Sequence, residues 1–134
     1  MLKRGYIPAI LWSLFIASSC LLPASSFHRF SLNSLFELDK LIHLILYFVL
    51  VVLWAISSGT NYGANKKFII VLMSIAYGVL IELLQAMMGM GRAYDLDDII
   101  ANTVGCILGI LSVSFVSRNM PLFKKYLPFL RYLY

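Results

Sequence analysis

The stretch GRAYDLDDIIANTVG, residues 91–105, carries one of the chain's 11 basic side chains and three of its 6 acidic ones, then runs directly into an apolar segment. A carboxylate at the mouth of a hydrophobic run suits the positive end of a helix dipole, and a bilayer is the solvent such a run needs. The surrounding composition agrees. The chain has 134 residues, 61% of them hydrophobic and 13% charged, with a mean hydropathy of +0.88. Soluble domains do not look like this. The formal charge of +5 is scattered around apolar segments instead of gathered on one face, so no nucleic acid partner is expected.

Four stretches are apolar enough to span: 6–22, 41–57, 68–90 and 99–117. Each is about 17–23 residues long, near the ~20 that cross a ~30 Å hydrocarbon core as a helix. None alternates with a period of two, which disfavours a barrel. The sequence therefore predicts an all-α integral membrane protein, a four-helix antiparallel bundle with short connections, over residues 1–118. Residues 119–134 form a basic and aromatic tail suited to a membrane interface, in which Pro121 and Pro128 oppose one continuous helix. The aromatic, basic and apolar mixture at 27–38 is suited to lying flat on the opposite surface. Cys20 and Cys106 read as small apolar packers. The ASSC that ends at Cys20 resembles a lipoprotein cleavage site, but the first helix is expected to stay in place.

Charge sets the orientation. Lys3, Arg4, Lys66, Lys67, Arg118, Lys124, Lys125 and Arg131 fall on one side with no acid among them. Arg29, Lys40 and Arg92 fall on the other, with all the acids: Glu37, Asp39, Glu82, Asp95, Asp97 and Asp98. The positive-inside rule then places both termini in the cytoplasm. Single cysteines from Tyr62→Cys and Ala93→Cys test this in intact cells. An impermeant reagent should label position 93 and spare 62, and labelling at 62 would overturn the topology.

The acidic side gathers the chemistry. DKLIHLILY, residues 39–47, places Lys40, His43 and Tyr47 on one helix face, with Asp39 read as the cap. Glu82 and Gln85 lie one turn apart near the end of the third span, and Asp98, Asn102, Gly105 and Gly109 follow one stripe of the fourth. Gly105 and Gly109, four apart, are read as a helix-packing surface. Asp95 and Asp97 can equally cap the fourth helix in water. Glu82 stands out, because a carboxylate within a membrane helix costs about 2.5–3.5 kcal/mol at the centre and usually marks function. Glu82 and His43 are the candidates for acid–base work. Lys40, Tyr47, Gln85, Arg92, Asp95, Asp98 and Asn102 are the candidate ligand-binding residues, with Arg92 offering a planar fork for phosphate or carboxylate. No spacing is diagnostic of metal, so no cofactor is expected, although oxygens of Glu82, Asp98 and Asn102 would suit a divalent cation.

These blocks, Asp-Lys-x-x-His-x-x-x-Tyr at 39–47, Glu-x-x-Gln at 82–85 and Arg-x-x-Asp-x-Asp-Asp-x-x-x-Asn-x-x-Gly at 92–105, together resemble the VanZ-like family. The resemblance covers nearly the whole chain except the tail. It implies a bacterial plasma-membrane protein of the cell envelope, and the family's named member is associated with teicoplanin resistance. It implies no particular reaction. Three readings stay open: a binder of a lipid-linked envelope precursor or glycopeptide, a membrane-embedded hydrolase or transferase acting on a lipid or wall precursor, and a purely structural polar lock. Transport would need oligomerisation.

Overall fold

The computed structural model describes residues 4–22, 32–59, 63–88 and 94–126. After a 3-10 turn at Arg4–Tyr6 come four helices: α1, Ile7–Cys20; α2, Leu32–Ser57; α3, Ala64–Met88; and α4, Leu96–Tyr126. No strand occurs among these residues. Three segments are long and apolar enough to cross a membrane: Leu38–Ser57, Ala64–Met88 and Leu96–Pro121. α1 is apolar but spans only 14 residues. Only 28–33% of each long segment's most apolar window is buried inside the protein, so most of their apolar surface is left for lipid.

Local chemistry sets the helix ends. Pro8 sits in the first turn of α1, where its missing N–H has no intrahelical partner to lose. α2 stops where Gly59 adopts φ +92° and its N–H bonds the Ile56 carbonyl at 3.0 Å. Asp95 opens α4, its Oδ1 accepting the Asp97 N–H at 2.9 Å. Two boundaries differ from the sequence reading. α2 begins at Leu32, so Asp39 lies two turns inside it and caps nothing. Of the stretch 27–38, residues 32–38 continue the helix and 27–31 lie outside the described residues. α4 runs through Pro121 to Tyr126, taking in the first part of the tail. A proline removes only one ladder bond, here at the end of the membrane-spanning segment, where polar groups can replace it.

Successive helices alternate in direction, yet the tightest packing joins α2 and α4, which run parallel. Gly105 makes it possible: a Cβ there would lie 2.3 Å from the Leu44 carbonyl oxygen, and one at Gly109 would lie 2.8 Å from that of Phe48. α3 packs against both α4 and α2, and α1 is tied to α2 and α3 by side-chain bonds. Trp12 Nε1 donates to the Leu46 carbonyl at 3.0 Å, Tyr77 Oη to that of Ser13 at 2.6 Å, and Gln85 Nε2 to that of Cys20 at 2.6 Å. The apolar core runs through Ile16, Leu46, Leu50, Val51, Ile81 and Cys106, with Val52, Ala55 and Val113 towards the far end. Cys20 and Cys106 are buried and unbridged.

Candidate functional site

At the acidic end of the bundle, α2, α3 and α4 each turn polar side chains towards the same point. His43 occupies it, with only 2% of its surface exposed. Its Nδ1 lies 3.1 Å from Asn102 Oδ1 and 3.9 Å from Glu82 Oε1. Its Nε2 lies 3.9 Å from Asp39 Oδ1 and 3.9 Å from Asp98 Oδ2. Helical spacing explains the convergence. Asp39, His43 and Tyr47 stand four apart on α2, Gly78 and Glu82 four apart on α3, and Asp98 and Asn102 four apart on α4.

The cluster is deeply enclosed. Glu82 and Tyr47 are fully buried, Asn102 and Asp98 nearly so. Gly78 leaves the room that Tyr47 and Asn102 fill: a Cβ there would meet Asn102 Nδ2 and Tyr47 Cε1, each at 3.1 Å. Burial of polar atoms is normally matched by hydrogen bonds. Here Tyr47 Oη, Asp98 Oδ1 and Asn102 Nδ2 are buried with no hydrogen-bond partner among the described residues. Such orphaned groups cost about 1–3 kcal/mol each. Such groups are met by an ordered water or by a ligand.

Not every residue expected at the site enters it. Lys40 stands at the rim, 3.5 Å from Asp95 Oδ2 and 3.3 Å from Asp97 Oδ2. These ion pairs are partly solvated, a setting in which each is worth about 0–1 kcal/mol. Gln85 donates its amide N–H to the Cys20 carbonyl and so holds the end of α1. Arg92 lies outside the described residues. Glycines 105 and 109 face α2 below the cluster. Two contributors were hidden from the sequence reading. Asp39 reads as a cap in the sequence, and its i, i+4 spacing to His43 is the signal that points to the site instead. Gly78, four residues before Glu82, was legible only as a small residue.

The arrangement can do three things chemically. A neutral imidazole can donate from one nitrogen and accept at the other. Glu82 and Asp98 flank the ring on opposite nitrogens, each at 3.9 Å, so a proton could pass through it only once both separations had closed to hydrogen-bond length. The orphaned Asn102 and Tyr47 groups can bond a polar ligand. A family model described as VanZ/LLP1 matches residues 6–117. No curated protein and no solved structure matches the chain.

Proposed function

The chain belongs to the VanZ/LLP1 family, and from that premise we propose that the His43 cluster binds the polar part of an envelope ligand at headgroup depth in a bacterial plasma membrane. The ligand class is a lipid-linked wall or envelope precursor, or a glycopeptide such as teicoplanin. One observation carries this reading: Tyr47, Asp98 and Asn102 each keep a buried polar atom without a partner among the described residues, inside a membrane-spanning bundle. Intramembrane polar groups are expensive and tend to mark function. The distribution of Lys and Arg supports placing this end outside and the termini in the cytoplasm. The position of Glu82 beside His43 supports a second reading, in which the pair moves a proton during hydrolysis or transfer on the same ligand class.

Binding of a short-chain polyprenyl diphosphate, and separately of teicoplanin, to the full chain in nanodiscs tests the proposal. Asn102→Ala and His43→Gln should weaken binding of one of the two about tenfold or more, corresponding to the loss of a hydrogen bond in a site shielded from water. Glu82→Gln should keep the affinity while abolishing any turnover. Equal affinity in all three variants, or no binding to the parent chain, overturns the proposal. The cellular counterpart is teicoplanin susceptibility with and without expression of the parent and of His43→Gln.

A further inference from the structure

The two nitrogens of His43 have different company. Nδ1 meets Asn102 Oδ1 at 3.1 Å. With an amide carbonyl as acceptor, Nδ1 is the donor, and a neutral ring then presents a lone pair at Nε2. That lone pair faces Asp39 Oδ1 and Asp98 Oδ2, each at 3.9 Å. These separations are too long for hydrogen bonds, which run to about 3.2 Å. One potential ligand atom from each of the three residues lies within 4.8 Å of the others. Electron-rich atoms converging in this way repel one another unless positive charge lies between them. Asp98 sharpens the point: it is only 6% exposed, and its other oxygen, Oδ1, is buried without a hydrogen-bond partner among the described residues.

We propose that Asp39, His43 and Asp98 bind a first-row divalent cation of the zinc or manganese class. The sequence alone pointed to a different donor set, with Glu82 and Asn102 beside Asp98. The structure turns those two towards Nδ1 and brings Asp39 to Nε2 in their place. One imidazole nitrogen with two carboxylate oxygens suits Zn²⁺ or Mn²⁺ better than the all-oxygen cages that Ca²⁺ and Mg²⁺ prefer. Ligands at about 2.0–2.1 Å from tetrahedral zinc stand about 3.3 Å apart, so each carboxylate must close on Nε2 by roughly 0.6 Å. Asp39, whose side chain is 40% exposed, has room to make that adjustment.

The outer contacts fit as well. A metal-bound histidine nearly always gives its other ring N–H to a carbonyl, carboxylate or water, which fixes the tautomer. The Asn102 contact supplies that arrangement, with Glu82 beside it. Three protein ligands leave at least one position open to a water or an anionic group. The cation site stands independently of the headgroup reading, since it requires no lipid.

The test uses the full chain in detergent, freed of any affinity tag and stripped with a chelator, then titrated with Zn²⁺, Mn²⁺ and Co²⁺. One ion should bind per chain, and Co²⁺ should give the visible absorption of a low-coordinate nitrogen–oxygen site that Zn²⁺ abolishes. Asn102→Ala, which removes an outer contact, should weaken Zn²⁺ binding about 10–100-fold. Asp98→Asn and Asp39→Asn, which remove ligands, should weaken it by more than about 100-fold. Asp97→Asn, an acid of the same end that lies outside the donor set, should leave the affinity unchanged. Helical circular dichroism of Asp39→Asn checks that the partly exposed variant is folded, so the result does not depend on Asp98→Asn alone. Absence of a stoichiometric ion, or unaltered affinity in folded Asp39→Asn, overturns the assignment.

Discussion

Gly105→Val should leave almost no folded, monodisperse protein after extraction, and even Gly105→Ala should lose about 3 kcal/mol or more. An added Cβ would sit 2.3 Å from the Leu44 carbonyl oxygen and 3.1 Å from the Phe48 nitrogen. Both are backbone atoms in the middle of α2, so no rotamer change relieves the contact. The helices must separate, and separation breaks the His43–Asn102 contact one turn away. Gly109→Ala, whose Cβ would lie 2.8 Å from the Phe48 carbonyl oxygen, should cost about 1–3 kcal/mol. Gly63→Ala meets nothing within 4 Å and should stay within about 0.5 kcal/mol of the parent. Thermal unfolding in detergent, with size-exclusion profiles, reads the series. If Gly105→Ala behaved like Gly63→Ala, α2 and α4 could not be packed as closely as described.

Two variants one turn apart on α4 should move stability in opposite directions in metal-free protein. Asp98→Asn keeps the shape of the side chain and removes one of three carboxylates grouped around a single imidazole. A carboxylate at the centre of a membrane helix costs about 2.5–3.5 kcal/mol. Asp98 lies in the first turn of α4, where shallower depth and the helix dipole reduce that figure, so the expected gain is about 1 kcal/mol. Asn102→Ala instead strips the acceptor from a buried ring nitrogen and should cost about 1–3 kcal/mol. A raised midpoint for Asp98→Asn fits a site that sacrifices stability for its task. A fall matching that of Asn102→Ala would make the cluster a structural lock.

The sequence revealed the bundle because lipid exposure leaves a coarse imprint: long apolar runs broken by short charged segments. It also revealed which side chains share a level, since the i, i+4 spacing of His43 and Tyr47, or of Asp98 and Asn102, is a property of one helix. Partners across helices were less legible. The Gly105 and Gly109 stripe announced a close approach, but nothing in α4 named α2 as the helix it meets. The role of Asp39 was obscured because its reading depended on where α2 begins. A residue taken for the first of a helix becomes a cap, whereas one two turns inside it can face its neighbour at i+4. Gln85 also answers to a neighbouring helix. Its spacing from Glu82 puts it near the same face, while a carbonyl left open at the end of α1 draws its amide elsewhere.

That short first helix affects the lipid as well as the fold. Its 14 residues rise about 21 Å, some 9 Å short of a typical ~30 Å hydrocarbon layer. Hydrophobic mismatch of this size thins the adjoining bilayer or draws its polar surface inward. α1 ends level with Gln85, one turn from Glu82 towards the rim. With α1 crossing the bilayer, such a dimple would form on the flank nearest the buried histidine. A lipid's phosphate that lies remote from His43 in an undeformed leaflet would be lowered towards it there, and the shortest helix would make the membrane surface itself part of the approach to the site.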